Sequence, residues 1–381
     1  MLTKRFETKL IHSVKKGNLP IRSKVTPIYQ TSAFTFDNLE DLEGYYQGEG
    51  NYLYSRIGNP NPDELGQMVA AVEGAPAGIA TSSGLSAILA GILSVVKSGD
   101  HIVAADDVYG GSFHLLHEEL KQFGVETTFV SFGDLELVEK AIQPNTKMLY
   151  TESITNPLLR VENLPAVVEL AKRNDLITVV DNTFATPFHC NPYELGVELV
   201  VHSATKYIGG HSDITAGVVV GREDLVEKAR AKVTNLGANV SPFEAWLTTR
   251  GLKTLAVRMQ VQSSNARKLA DALRNNANIA RVYYPFEEES TGFGAMVSIE
   301  LAKTVDVSKF FRSIGWVKLV PTLAGVETTV THPLKTSHRA LPPEAQEALG
   351  ITNELVRISV GIEHYEDIIS VFEQAIEKSL K

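Results

Sequence analysis

Lys206 stands between two hydroxyl side chains in the run Ser203-Ala204-Thr205-Lys206-Tyr207-Ile208-Gly209-Gly210, directly after the apolar Leu199-Val200-Val201. A lysine amine at its ordinary pKa is charged and a poor nucleophile. One partly dehydrated in a turn at a strand end can form a Schiff base with an aldehyde. Ser203 and Thr205 offer hydroxyls that can hold a phosphate beside it. Taken alone, Lys206 also fits a surface lysine in a glycine-rich loop, so other residues must decide.

An aldehyde and a phosphate on one ligand point to pyridoxal phosphate (PLP), and four further positions bear on that ligand. Ser82-Ser83-Gly84-Leu85-Ser86 lies between an apolar run and a helical pattern. Backbone N–H groups at a helix start bind phosphate, although the same residues make an ordinary N-cap. Asp181 ends the apolar run Leu176 to Val180, one strand-to-strand crossover before Lys206. A carboxylate there caps a helix or, in a PLP site, keeps the pyridine nitrogen protonated. Tyr109 follows another such run; its ring can stack on a planar cofactor and its hydroxyl can move protons, or it simply closes a turn. Arg357 sits inside the apolar Val356-Arg357-Ile358-Ser359-Val360. Burying it requires a partner, which is a substrate carboxylate or an internal salt bridge. His202, His211 and His332 show no metal-ligand spacing, so no metal site is expected.

These residues must be positioned by regular elements. Short apolar runs at Gly78–Thr81, His101–Ala105, Val125–Phe132, Met148–Glu152, Leu176–Asp181, Leu199–Ser203 and Ala216–Val220 read as buried strands. Helical patterns at Leu85–Val96, Ser112–Phe123 and Leu164–Asn174 lie between several of them. Such alternation predicts an α/β fold with a mostly parallel sheet covered on both faces, and ligands then bind at the strands' carboxyl ends. After about residue 240 the pattern changes. A long helical segment, Pro242–Leu273, leads into runs at Arg281–Tyr284 and Gly294–Leu301, a helix at Val307–Ile314, a strand at Leu355–Val360 and a helix from His364. The expected division is an arm over 1–57, a PLP-binding α/β domain over 58–245 and a smaller C-terminal α+β domain over 246–381. The arm lacks sustained periodicity and is expected to pack on a neighbouring subunit.

The bulk numbers exclude several classes. At 381 residues, 44% hydrophobic and 21% charged, the chain has the composition of a soluble globular protein. A net charge of −9 without a basic cluster argues against nucleic acid as partner. The longest apolar stretch, Ala87 to Val96, is too short to span a bilayer. Met1 to Glu7 carries no apolar signal core, and one cysteine, Cys190, fits a reducing cytoplasm without disulfides.

Together these segments resemble the cysteine/methionine-metabolism family of PLP enzymes: cystathionine γ-synthase, cystathionine β- and γ-lyases, methionine γ-lyase and O-acetylhomoserine sulfhydrylase. The matching pieces run nearly the whole length. They include Val25-Thr26-Pro27-Ile28-Tyr29-Gln30-Thr31-Ser32, Tyr54-Ser55-Arg56-Ile57-Gly58-Asn59-Pro60, Ser82 to Ser86 and Asp107 to Gly111. Further along come Glu152 with Thr155-Asn156-Pro157, Val180 to Thr183, the Lys206 segment, Arg250 to Leu255 with Arg258-Met259, Glu327 with His332-Pro333, and Arg357 to Glu363.

The resemblance implies PLP-dependent transferase fold type I, the aspartate-aminotransferase-like architecture, and a homotetramer built as a dimer of dimers. It implies that Lys206 carries the cofactor and that Lys206 and Tyr109 are catalytic. Asp181 meets the pyridine nitrogen and Tyr109 stacks on the ring. Ser83, Gly84, Leu85, Ser203 and Thr205 hold the phosphate, which Tyr54 and Arg56 reach from the adjacent subunit. Asn156 and Arg357 contact the substrate carboxylate, and Glu327 and Thr328 belong to the substrate site.

Some residues depart from the family pattern. Leu53 replaces an acid found in several cystathionine enzymes, and Thr328-Thr329 replaces Ser-Leu. Gly111 stands where methionine γ-lyases have cysteine, and the stretch 285–292 is shorter than usual. The expected activity is a carbon–sulfur lyase cleaving cystathionine by β- or γ-elimination. The alternatives are a γ-replacement transferase (cystathionine γ-synthase or O-acetylhomoserine sulfhydrylase), methionine γ-lyase, or a PLP-binding regulatory protein without catalysis.

Overall fold

Seven strands form the larger of two sheets: β1 (Ala77–Thr81), β2 (His101–Ala105), β3 (Glu126–Val130), β4 (Thr146–Glu152), β5 (Ile177–Asp181), β6 (Leu199–His202) and β7 (Gly217–Gly221). A computed structural model of the protein describes them among residues 4–14, 23–50, 52–286, 293–339 and 343–381. The strand order is β1-β7-β6-β5-β4-β2-β3. β7 is antiparallel to both neighbours and all other pairings are parallel. Every strand except β7 therefore ends at the same edge, which carries Thr81, Glu152, Asp181 and His202.

Side-chain alternation splits this sheet's two faces cleanly. Val180, Val200 and Val220 join the core beneath the helices Pro60–Glu73 and Pro242–Leu252. Val179, Val201 and Val219 join the core beneath Gly84–Leu93 and Glu223–Leu236. Apart from the half-buried edge strand β3, both faces are dry, which explains why the strands read as apolar runs.

The second sheet, ordered β10-β11-β12-β9-β8, comprises β8 (Ile279–Tyr283), β9 (Met296–Leu301), β10 (Lys318–Leu319), β11 (Thr329–Thr331) and β12 (Leu355–Ser359). One face packs Val297, Ile299, Val356 and Ile358 against the helices Leu255–Arg274, Val307–Ser313 and Tyr365–Lys378. Arg357 and Ser298, paired in register, alternate onto the other face.

Several elements differ from the sequence expectation. The segment 242–273 is two helices, Pro242–Leu252 and Leu255–Arg274. The first ends where Gly251 abuts Gly209; a Cβ on Gly251 would stand 2.1 Å from the Gly209 carbonyl oxygen. Helix 255–274 then serves both cores, with Met259 in one and Leu269 in the other. The helix read at 112–123 contains a π turn at Leu115–Glu119. The arm is not wholly irregular: the helix Phe6–His12 docks on its own chain through buried Leu10 and the Phe6–Phe188 ring pair. Its other helix, Leu39–Tyr46, buries no side chain. The shortened stretch falls largely on 287–292, outside the described residues. No helix among the described residues is long and apolar enough to cross a membrane.

Helix Pro60–Glu73 lies against β1 through two glycines back to back. A Cβ on Gly66 would stand 2.6 Å from the Gly78 carbonyl oxygen, and one on Gly78 would stand 2.3 Å from the Gly66 oxygen. Gly66→Ala is expected to destabilise the fold by about 1–3 kcal/mol by forcing helix and strand apart. Chemical denaturation of the holoenzyme measures this, and an unchanged midpoint refutes it.

Candidate active site

The shared strand edge opens into a cavity of about 580 Å³, closed on its far side by the second sheet. Ser83, Gly84 and Leu85 reach it from the start of helix Gly84–Leu93. Asp181 comes from the end of β5, and Ser203, Thr205 and Lys206 from the turn after β6. Tyr109 and Asn156 follow β2 and β4, and Arg357 enters from β12. The structure thus gathers ten of the sequence-derived residues around one space.

The Lys206 amine donates to Thr322 Oγ1 at 2.9 Å. Burial and the Arg357 charge push its pKa down to about 8. Arg357 is 2% exposed, and its Nη1 donates to Asn156 Oδ1 at 2.9 Å. Burial lowers it to about 10, so it stays charged at neutral pH. No carboxylate among the described residues pairs with it, so the internal salt bridge expected as an alternative is absent there.

Two carboxylates share the floor. Glu152 and Asp181 are register partners on β4 and β5, and both are buried. Burial, and then the neighbouring Asp181, raise the Glu152 pKa well above the usual range. Burial also raises Asp181, opposed by the Thr183 N–H, which donates to Oδ1 at 2.9 Å, and by His202 nearby. Glu152 accepts the Tyr109 N–H at 2.7 Å.

This donor set fits PLP. The first N–H groups of helix Gly84–Leu93 have no intrahelical acceptor. Gly84 is needed because a Cβ there would meet Ser203 Oγ at 2.6 Å. The backbone can therefore approach an anion with the Ser203 hydroxyl alongside. Thr205 is less free than expected, since its hydroxyl donates to Ala216 O at 3.1 Å and accepts the Ala216 N–H. An amine, a carboxylate, an aromatic ring and a helix N-terminus thus meet in one cavity.

Four expected residues lie elsewhere on this chain. Tyr54 and Arg56 do not line the cavity; the Arg56 guanidinium lies 5.5 Å from the Tyr54 ring centroid and donates to Thr234 O at 3.2 Å. Glu327 and Thr328 also fall outside the lining. Glu327 is half-exposed beside Lys318 at 3.4 Å. The Thr328 hydroxyl is consumed locally, donating to Glu363 Oε2 at 2.8 Å and accepting the Gly361 N–H at 2.9 Å.

Sequence reasoning missed Thr322, Ser337 and His338. Thr322 holds the amine, Ser337 lines the cavity and His338 binds the Asn156 backbone. They lie more than 110 residues beyond Lys206, in a segment without a periodic signal. Only the family resemblance at the nearby His332-Pro333 drew attention there.

Comparison with known proteins agrees with this geometry. Residues 7–377 match the model of the Cys/Met metabolism PLP-dependent enzyme family. An L-methionine gamma-lyase of Fusobacterium nucleatum is 40% identical, over 97% of this chain and 98% of that protein. A cystathionine beta-lyase of Lactococcus lactis is 38% identical, over 98% and 99%. The crystal structure of a putative O-acetylhomoserine (thiol)-lyase from Campylobacter jejuni, which carries N'-pyridoxyl-lysine-5'-monophosphate, superposes with a TM-score of 0.93 at 30% identity, over 98% of this chain and 100% of that one. The chain belongs to the Cys/Met metabolism family and is a PLP-dependent enzyme of fold type I.

The depressed Lys206 pKa has a sign that can be tested. Removing the Arg357 charge should raise the amine pKa, since a neighbouring cation disfavours the ammonium form. In apoprotein, labelling of Lys206 by trinitrobenzenesulfonate should follow a pKa of about 8. The Arg357→Ala variant should label more slowly at pH 7. Equal rates in both proteins refute the coupling.

Proposed function

We propose that this member of the family is a carbon–sulfur lyase that cleaves cystathionine or a closely similar sulfur amino acid. The carrying observation is the pairing of a half-buried amine of lowered pKa with a buried, carboxylate-free guanidinium in one cavity. That pair suits a substrate with an α-amino group and an α-carboxylate. Relatives called cystathionine beta-lyase and cystathionine gamma-lyase, each 38% identical, support the sulfur side chain.

PLP, when bound, withdraws electrons from the carbon bearing the substrate amine and so weakens its C–H bond. Lys206 would hold the cofactor's aldehyde carbon, Asp181 its pyridine nitrogen and Tyr109 its ring face. Ser83, Gly84, Leu85, Ser203 and Thr205 would hold its phosphate. Arg357, with Asn156 orienting it, binds the substrate carboxylate through paired N–H donors. Released from that carbon when the substrate amine takes its place, Lys206 Nζ would take the Cα proton and, for γ-elimination, move the β proton. Tyr109 Oη gives a proton to the leaving sulfur. Positioned acid–base steps of this kind contribute about 10²- to 10⁴-fold each.

Tyr54 and Arg56 are assigned to a neighbouring subunit's phosphate within a homotetramer of two dimers. Their exposure and their absence from the lining of their own chain's cavity support this. The sequence's single cysteine, Cys190, suits a reducing cytoplasm.

Methionine γ-lyase activity is the second reading, favoured by the relative 40% identical. Against it, a Cβ at Gly111 would stand 2.5 Å from Tyr109 Cε1. The cysteine that methionine γ-lyases carry there would thus displace the ring.

Product analysis decides. Cystathionine should yield pyruvate and homocysteine by β-elimination, or 2-oxobutyrate and cysteine by γ-elimination, faster than methionine yields methanethiol. Faster methanethiol release supports the second reading. Condensation of O-acetylhomoserine with sulfide or cysteine, without elimination, supports a transferase. No product from any substrate, with PLP bound, refutes an enzymatic role in favour of a regulatory one.

The shared site has its own test. Arg56→Ala should weaken PLP retention, and mixing it with inactive Lys206→Ala should restore activity through hybrid dimers. No recovery after verified subunit exchange refutes it.

A further inference from the structure

We propose that His338 is a positioning residue for the carboxylate site: its imidazole latches the Asn156 backbone to the segment 332–338 and so fixes the amide that aims Arg357. The inference rests on the reading of Arg357 as the carboxylate contact.

His338 is 1% exposed and both ring nitrogens are engaged. Nε2 lies 3.0 Å from the Asn156 carbonyl oxygen. A carbonyl only accepts, so Nε2 carries the hydrogen. Nδ1 must then accept, and the Ser337 hydroxyl, 2.9 Å away, is its donor. This fixes one neutral tautomer. Burial and the nearby Arg357 charge favour the same form, with a pKa pushed down to about 4.

The latch acts on a crowded point. The Asn156 carbonyl takes His338, and its side-chain Oδ1 takes Arg357 Nη1 at 2.9 Å. One residue on, the Pro157 carbonyl accepts the Ser298 hydroxyl at 2.7 Å. Ser298 is the register partner of Arg357 on β9. Three residues of the second sheet and its loops thus grip two consecutive residues that follow β4. Asn156 is 3% exposed, so its carbonyl has little water to replace a lost donor. Without His338 the peptide can rotate, and the amide that orients the guanidinium rotates with it. Gln346 Nε2 donates to the His338 carbonyl at 2.9 Å and keeps the imidazole's own backbone in place.

The test uses side chains of graded reach in the PLP-loaded enzyme. A glutamine amide nitrogen falls near Nε2, whereas an asparagine amide is too short to reach the Asn156 carbonyl. His338→Asn should raise KM for cystathionine about 10-fold, the scale of one lost hydrogen bond. It should raise the inhibition constant of butyrate, which has a carboxylate and no amine, by a similar factor. The cofactor's absorption and kcat should hold. His338→Gln should recover most of both losses. A His338→Asn variant that loses PLP, kcat and KM together, or that keeps wild-type KM and butyrate inhibition, overturns the proposal. If it does not fold, Ser337→Ala carries the test: a smaller rise in both constants upholds the latch and unchanged constants overturn it. Arg357→Ala in the same assays separates the two levels. If it raises both constants while the His338 variants do not, only the latch fails. If it too changes neither, the carboxylate reading fails and the latch falls with it.

Discussion

Burying the Arg357 guanidinium removes a full charge from water, and one hydrogen bond to Asn156 does not offset that desolvation. The position is tolerable because the remaining donors face a cavity that an anion can enter. Much of the second sheet is arranged around this constraint. Arg357 lies on β12, the central strand, flanked by β11 and β9. Its neighbours Val356 and Ile358 are fully buried in the opposite face, so the strand cannot slip to move the charge outward. A one-residue shift would place an isoleucine in the cavity and the guanidinium in the core.

The first sheet meets a matching demand at its strand ends. Glu152 and Asp181 face the cavity, so by alternation Ser153 and Asn182 face the other way, as does His202 on β6. There they meet Glu73, at the end of helix Pro60–Glu73. Its Oε1 accepts from Asn182 Nδ2 at 2.8 Å and lies 2.7 Å from His202 Nε2. The Ser153 hydroxyl donates to Asn182 Oδ1 at 2.8 Å. One buried carboxylate thereby ties three strand ends together on the face opposite the cavity. The Gly66–Gly78 contact matters for the same reason, because it sets how closely this helix, and hence Glu73, approaches the sheet. Polar networks of this kind are favourable only when well satisfied, and here Glu73 Oε2 and His202 Nδ1 lack partners among the described residues.

Much of this was legible in the chain. The strands of the large sheet other than the edge strand β3, which is only half-buried, appear as apolar runs because both faces are buried, and their polar tails marked the rim where Asp181 and Lys206 sit. Helix Glu223–Leu236 was not seen, because its mean hydropathy is low and only a narrow stripe, Leu225, Val226, Ala229 and Val233, is buried. Helix Pro60–Glu73 opens Pro-Asn-Pro, which reads as a loop until the proline is recognised in the first turn. Thr328 carries contacts that the spacing did not show: Glu363 and Gly361 claim its hydroxyl. His338 and Thr322 were hidden because their partners, Asn156 and Lys206, are brought near only by the docking of one sheet on the other.

The charges in the cavity also determine how the amine behaves when substrate arrives. Lys206 is depressed first by burial and second by Arg357. A carboxylate bound to Arg357 cancels much of the second effect and leaves the first. The amine then holds a proton more tightly than in the unliganded site. Its basicity rises as substrate settles, at the point where it must take a proton from carbon. Burial raises both floor carboxylates, Glu152 the more strongly, and Thr183 and His202 oppose the rise at Asp181. On the proposed reading, the placement of Arg357 does two things at once: it selects for a carboxylate, and it makes the strength of the base depend on that carboxylate being present.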